Sequence, residues 1–294
     1  MVKKLFVSEK LWTSFTTVRE KITEALAKIE DPENQYELDV IKNTEDIWCR
    51  DYMPIPLRHR RGKNGEQLYA LYRYWPDYLD NDEENPDWQK YITNQARACE
   101  SVGIHHKQCV ELGLTFDGGN YVDCGEYAVV TKKVFDENPY LTEGQVIRRL
   151  EETFNQKIVV IPWKRVHVNG RDEKEDDVYG HSDGFVTYLG GNSVLLTNCA
   201  EWSTTSNFSK KDAEDVKNKL EEKGLEVKVL SFSDHEKDSN SGVINDWAYI
   251  NMVILDKVVL MPVIGSKTID PKAEEQVQQL YPCVNCVLKM PCSV

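Results

Sequence analysis

In Gly180-His181-Ser182-Asp183-Gly184 an imidazole and a carboxylate stand two residues apart, between glycines, at the start of an apolar run. If that run is a strand, alternation of side chains puts His181 and Asp183 on one face. A histidine titrates near neutrality and a carboxylate can hold a cation, so the pair has the form of an acid–base group beside a clamp. The same residues also fit an ordinary strand cap at a turn, and the stretch alone does not choose. Three other stretches carry comparable side chains: Trp48-Cys49-Arg50-Asp51, Asp117-Gly118-Gly119-Asn120 and Trp247-Ala248-Tyr249-Ile250-Asn251. Taken singly, they read as a structural ion pair beside a core tryptophan, a turn, and an asparagine that satisfies backbone groups. Taken together, Asp51, Asp117, Asp183 and His181, with Asn251, form a site for a planar cation. A guanidinium offers five N–H donors in a fixed fork that carboxylates accept bidentately. Trp48 would supply an aromatic wall for such a cation.

The elements around these residues decide whether they can meet. Helical spacing of Val18, Ile22, Ala25, Leu26 and Ile29 predicts a helix over 12–29, followed by a strand at 36–41. Pro54 and Pro56 are expected to exclude a helix or a central strand from the charged, aromatic-rich stretch 43–56. Further along, strands are expected at 68–75 and 105–110 with a helix at 86–102 between them. Strands at 127–131 and 157–162 flank a helix at 143–155, whose Thr142 and Gln145 stand as a capping box. His181–Leu189 and Ser193–Thr197 read as a hairpin about Gly190-Gly191-Asn192, then a helix at 210–223 and a strand at 225–230. A last hairpin, 247–255 with 257–263, precedes a helix from Asp270 to about 280 and a strand near 286–290. The recurring unit is hairpin, helix, strand, four times over, with an N-terminal half-unit of helix and strand. The four candidate stretches lie at or just before the heads of those hairpins, where a pseudo-symmetric ring would bring them to its axis. A closed ring of five units would need one more hairpin, placed beyond Val294. The competing reading is an ordinary open α/β sheet.

Composition narrows the partners. The chain has 294 residues, 40% hydrophobic and 29% charged, enough for a sizeable core in one domain spanning 1–294. A net charge of −13 argues against nucleic acid and suits a small cationic ligand. No apolar run of membrane-spanning length and no signal peptide is present, so a cytoplasmic protein with no membrane partner is expected. Eight cysteines read as reduced thiols; Cys49, Cys99, Cys109, Cys124 and Cys199 look like small buried apolar residues rather than nucleophiles. Cys283-Val284-Asn285-Cys286 is a single CxxC without a second pair of zinc-ribbon spacing, so no metal is expected, and redox chemistry there is a rival reading. A homo-oligomer is allowed by the sequence but not required by it.

In this order, Trp48-Cys49-Arg50-Asp51-Tyr52-Met53-Pro54, Phe116-Asp117-Gly118-Gly119-Asn120, Gly180-His181-Ser182-Asp183 and Tyr249-Ile250-Asn251 resemble a known family. It is the agmatine deiminase and Porphyromonas-type peptidylarginine deiminase family, part of the guanidino-group-modifying pentein superfamily, and the resemblance covers nearly the whole chain. It implies a five-fold pseudo-symmetric α/β propeller, in agreement with the unit count, and a hydrolase that uses no cofactor. The implied reaction is agmatine to N-carbamoylputrescine and ammonia, as in putrescine biosynthesis. The alternatives are arginine or peptidylarginine as substrate, or a guanidine-binding protein without turnover. By resemblance Asp51 and Asp183 clamp the guanidinium, and His181 protonates the leaving ammonia and then activates water. Asp117, where many members have glutamate, orients His181, and Asn251 lines the site. The implied nucleophile is a cysteine in a Gly-Gly-x-x-x-Cys stretch near the C-terminus. No such stretch occurs here, and residues 282–294 resemble the segment that precedes it. The expectation is therefore a chain without its last hairpin and without its catalytic cysteine, Cys286 and Cys292 being the remaining candidates.

Overall fold

The computed structural model describes residues 3–29, 35–76, 87–163, 167–168, 171–172, 180–198, 210–232, 249–255, 258–267, 269–281 and 286–291. They fall into two compact units. The first comprises residues 1–5, 15–39 and 183–294, the second residues 6–14 and 40–182.

The chain opens with β1 (Lys3–Ser8), α1 (Glu9–Ser14), α2 (Thr16–Ala27) and β2 (Tyr36–Ile41), the two strands pairing in a two-stranded sheet. The helix expected over 12–29 is thus two helices, and the N-terminal half-unit has a strand ahead of them that periodicity missed. Lys3-Lys4-Leu5-Phe6-Val7 has no clean alternation, and its burial rises steadily toward Ser8 instead. The second unit continues with α3 (Cys49–Tyr52), β3 (Ile55–Arg61), β4 (Gln67–Arg73), α4 (Gln95–Ser101) and β5 (Cys109–Thr115). β6 (Val122–Cys124), β7 (Tyr127–Thr131), α5 (Lys133–Asp136), α6 (Glu143–Phe154) and β8 (Lys157–Ile161) follow, then the short strands β9 (His167–Val168) and β10 (Arg171–Asp172). The first unit resumes with β11 (Thr187–Gly190), β12 (Ser193–Thr197), α7 (Lys210–Glu221) and β13 (Glu226–Leu230). It closes with β14 (Val253–Ile254), β15 (Val258–Val263), α8 (Ile269–Leu280) and β16 (Cys286–Pro291).

The repeating unit read from the sequence is present four times among the described residues. β3-β4-β5, β6-β7-β8, β11-β12-β13 and β14-β15-β16 are three-stranded sheets. In each, the first two strands are antiparallel and the third lies parallel to the second. Parallel pairing forces a crossover, which explains the helix before every third strand. Pro56 lies in β3, an edge strand, the kind of strand in which proline is tolerated. No closed sheet occurs among the described residues, so the architecture established is mixed α/β with repeated sheet units; the five-fold ring stands as an expectation.

Two expectations about strands fail at the candidate stretches. His181 and Asp183 do not sit on a strand: Ser182–Gly184 form a 3-10 turn and β11 begins only at Thr187. Glycines on either side relax the backbone there, so the apolar run alone did not mark the strand's start. Asn251 likewise precedes its strand, β14, which starts at Val253. Trp247 lies outside the described residues.

The second unit's core is built on β4, β5 and β7, with Leu57, Tyr72, Leu114, Phe116, Val130 and Phe154 fully or almost fully buried. α6 covers it with one face, since Val146, Leu150, Thr153 and Phe154 recur at helical spacing and are its buried residues. Its Thr142–Gln145 capping box forms as read from the sequence, and Asn155 ends it in the left-handed conformation at φ 55°. The first unit packs Phe232, Tyr249, Ile250, Val259, Met261 and Val277 into a core of its own.

Candidate active site

The site in the second unit starts from one helical turn, Cys49–Tyr52, inside the stretch 43–56 expected to hold no helix; the turn ends before Pro54, so the prolines stop it and do not prevent it. α3 turns Asp51 and Tyr52 inward. Met53 then goes extended, as a residue before proline must, and ends the turn. The Tyr72 hydroxyl lies 2.7 Å from the carbonyl oxygens of both Asp51 and Met53, and Gln95 Nε2 donates to the Tyr52 carbonyl at 2.8 Å. With its backbone held, the Asp51 carboxylate accepts the Gly119 N–H at 2.9 Å.

Gly119 belongs to the 3-10 turn Gly118–Asn120, which follows Asp117. The first glycine is required by a close approach: a Cβ on Gly118 would overlap the Arg50 carbonyl and stand 2.6 Å from the Tyr72 hydroxyl. Asn120 is fully buried, and its Oδ1 accepts the Thr131 N–H at 2.8 Å. Two residues before Asp117, Thr115 donates its N–H to Asn138 Oδ1 at 2.9 Å and accepts from Asn138 Nδ2 at 2.8 Å. The short helix α5 is therefore tied on both flanks to the segment that carries Asp117.

α5 brings a residue that sequence reasoning missed. Lys133 is fully buried, with Nζ 2.8 Å from Asp117 Oδ2 and 3.3 Å from Glu137 Oε1. A buried ammonium demands paired carboxylates, and here it has two. The available signal was the Lys133/Glu137 spacing of four directly after a buried strand, in a stretch that reads as loop.

His181 completes the cluster. Thr131 Oγ1 donates to the Gly180 carbonyl at 2.5 Å, fixing the backbone beside it. The ring places Nε2 3.0 Å from Asp117 Oδ2 and Nδ1 3.5 Å from Asp51 Oδ1, while Nε2 lies 3.4 Å from Lys133 Nζ. Burial penalises the charged imidazole, but Asp51 and Asp117 outweigh it, with Lys133 opposing them, and the ring is pushed up to about 10. For Asp117, burial opposes ionisation; the Lys133 charge and the His181 hydrogen bond overcome it and hold the carboxyl well below the usual carboxylate range. Asp117 Oδ1 has no hydrogen-bond partner among the described residues. Formal charges of Asp51, Asp117 and Glu137 against Lys133 and an imidazolium leave one net negative charge, so a bound cation would balance the cluster.

A profile of the Porphyromonas-type peptidyl-arginine deiminase family matches residues 8–293. The chain belongs to that family. Its fold is similar to solved deiminases of low identity. The agmatine deiminase of Enterococcus faecalis is 17% identical, with a TM-score of 0.68 over 99% of this chain and 88% of that one. A C. jejuni agmatine deiminase variant with substrate bound is 15% identical, TM-score 0.65, over 99% and 88%. A putative arginine deiminase from Porphyromonas gingivalis is 16% identical, TM-score 0.67, over 99% and 91%. A search of curated protein sequences returns no match. These neighbours are guanidino-modifying hydrolases of mixed α/β pentein fold, and the family supports the same class here.

Of the residues singled out in the sequence, the structure brings Asp51, Asp117 and His181 together. Trp48 sits next to α3 but is 53% exposed, a surface aromatic and not a core one. Asp183 lies in the 3-10 turn and is half-buried, and Asn251 is exposed; both belong to the first unit. Asn251 follows Tyr249 and Ile250, which are fully buried, and the Tyr249 hydroxyl donates to the buried Asp270 at 2.5 Å. The described thiols carry no activation. Burial pushes Cys49 up to about 11 and Cys99 and Cys124 up to about 12, and it raises Cys109 as well. A nucleophilic cysteine needs the opposite shift. Cys99 and Cys124 are buried as expected, Cys49 and Cys109 are only half-buried, and Cys199 lies outside the described residues. Cys283 and Cys292 lie outside the described residues.

Among the described residues no His/Cys/Asp/Glu group is arranged to hold a metal ion, and Lys133 already fills the cationic position between two carboxylates. Nor, among them, is any helix long and apolar enough to cross a membrane.

Proposed function

We propose that this family member recognises a guanidino compound, agmatine first, and that His181 is the proton carrier in its hydrolytic deimination to N-carbamoylputrescine and ammonia. One observation carries the reading: the His181 imidazole is held between Asp51 and Asp117 and favours its charged form. By the family resemblance, Asp51 and Asp183 would clamp the guanidinium, Trp48 and Asn251 would line it, and Asp117 would orient the ring. An imidazolium suits the first step. When a thiolate adds to the guanidinium carbon and the C–N bond breaks, the departing nitrogen keeps the bonding pair. It takes a proton from His181 and leaves as ammonia. The neutral ring then accepts one proton from the water that adds to the thiouronium carbon; collapse of that adduct expels the thiolate, releases the hydroxyl proton to the medium and leaves the urea product. None of Cys49, Cys99, Cys109 and Cys124 suits the sulfur role, so binding and turnover are separate questions. The chain is further proposed to be one pentein-type domain, and its putrescine pathway and cytoplasmic location belong to the same proposal.

The test is calorimetric titration with agmatine, arginine and a peptide ending in arginine, paired with an ammonia assay. Agmatine is expected to bind, with affinity falling by tenfold or more in Asp51→Asn, about the loss of one charge-assisted bond. No binding of any guanidino ligand, or binding indifferent to Asp51, overturns the reading. Ammonia release abolished by Cys292→Ser would assign the nucleophile to residues 282–294 and overturn the expectation that the cysteine is missing.

A further inference from the structure

His181 is encircled by negative charge. Among the described residues, Asp51 faces Nδ1 from α3, Asp117 faces Nε2 from the turn after β5, and Glu137 stands behind Lys133 on α5. Three carboxylates around one half-buried ring would hold its proton so strongly that it could not act as an acid. Lys133 is the only cation the described residues put against Asp117 besides the ring itself. Its Nζ and His181 Nε2 both reach the same oxygen, Oδ2, at 2.8 and 3.0 Å. Two donors on one oxygen share its charge, and each weakens the other's hold on it.

We propose that Lys133 is a positioning residue for proton transfer by His181: its buried ammonium shares Asp117 Oδ2 with the imidazole, keeps that carboxylate ionised, and prevents the ring from being locked as a permanent cation. The proposal rests on the reading of His181 as the proton carrier. Lys133 needs no contact with a ligand, since it acts through Asp117 and the ring. Its place is held by the bonds already described, because Thr131 and Asn138, at either end of α5, are tied to Gly180, Asn120 and Thr115. Glu137 completes the device by giving Lys133 a second carboxylate, so that the ammonium is not left underpaired when His181 pulls on Asp117.

The test is a ¹⁵N-detected titration of histidine side chains in the full chain, with the His181 signal assigned by its loss in His181→Gln. Lys133→Met is expected to move the His181 midpoint upward, so that at pH 10 the ratio of protonated to neutral ring rises about tenfold, one pH unit. Lys133→Met alone leaves buried carboxylates underpaired, so the double variant Lys133→Met with Glu137→Gln is measured beside it, with a smaller rise expected because the distant negative charge leaves with the near positive one. A purely structural lysine gives the opposite result: water enters the loosened cluster, and the midpoint falls toward the ordinary 6.5. An unchanged or lowered midpoint in the double variant overturns the proposal. The titration uses no guanidino ligand, so its failure would leave agmatine recognition to be judged by calorimetry alone.

Discussion

At the scale of single residues, the chemistry is a matter of which charges are forced to share a buried space. His181 gains its charged form on folding and Asp117 gains its ionised form, so both link stability to pH, on opposite sides. Asp117 lies lower in the folded chain than in the unfolded one, so its contribution is present above the ordinary carboxylate value and is lost as pH falls below it. His181 lies higher when folded. Its contribution is complete below 6.5 and is lost as pH rises toward about 10. Urea unfolding followed from pH 2 to 11 should therefore show a plateau with losses at both ends. In His181→Gln the alkaline loss should flatten while most of the acid loss remains. A variant whose alkaline limb is as steep as that of the parent would count against a charged His181 held between two carboxylates.

At the scale of elements, the site depends on short pieces that pack too closely for ordinary side chains. The turn Gly118–Asn120 touches α3 through the Arg50 carbonyl, and the Gly119 N–H reaches Asp51 only because of that approach. Gly118→Ala should cost about 1–3 kcal/mol, the usual range for overpacking a tight contact. It should also weaken agmatine binding by more than its stability loss explains, since Asp51 would lose its N–H donor. Thermal melting and calorimetry on the same sample separate the two effects. An alanine variant with parental affinity would show that the approach serves packing alone. α5 is likewise a single turn, yet Thr131, Lys133 and Asn138 in and beside it bond to Gly180, Asp117 and Thr115.

At the scale of the whole molecule, the net charge of −13 acts on any cation that approaches. Agmatine carries a guanidinium and an ammonium, so the field of the protein should attract it, and salt should weaken the attraction. Its dissociation constant is expected to rise several-fold, roughly, between 20 mM and 500 mM sodium chloride. Association independent of salt would place the recognition entirely in short-range contacts.

What the sequence determined by itself was the repeating unit and the identity of the polar residues at its turns. Hairpin, helix and strand are local or near-local patterns: alternation in Tyr127–Thr131, helical spacing in Val146, Leu150 and Phe154, and a capping box at Thr142 and Gln145 are written within a dozen residues each. Asp51, Asp117 and His181 were legible for the same reason, as carboxylates and an imidazole beside glycines and prolines that halt regular structure. Only the tertiary structure decided that these three meet, that His181 rides a turn and not a strand, and that Lys133 stands among them. A lysine reads as solvated surface until the fold shows two carboxylates around it. Burial and the sharing of one oxygen between two cations depend on distances across 16 and 48 residues of chain, from Lys133 to Asp117 and to His181, and no local pattern encodes them.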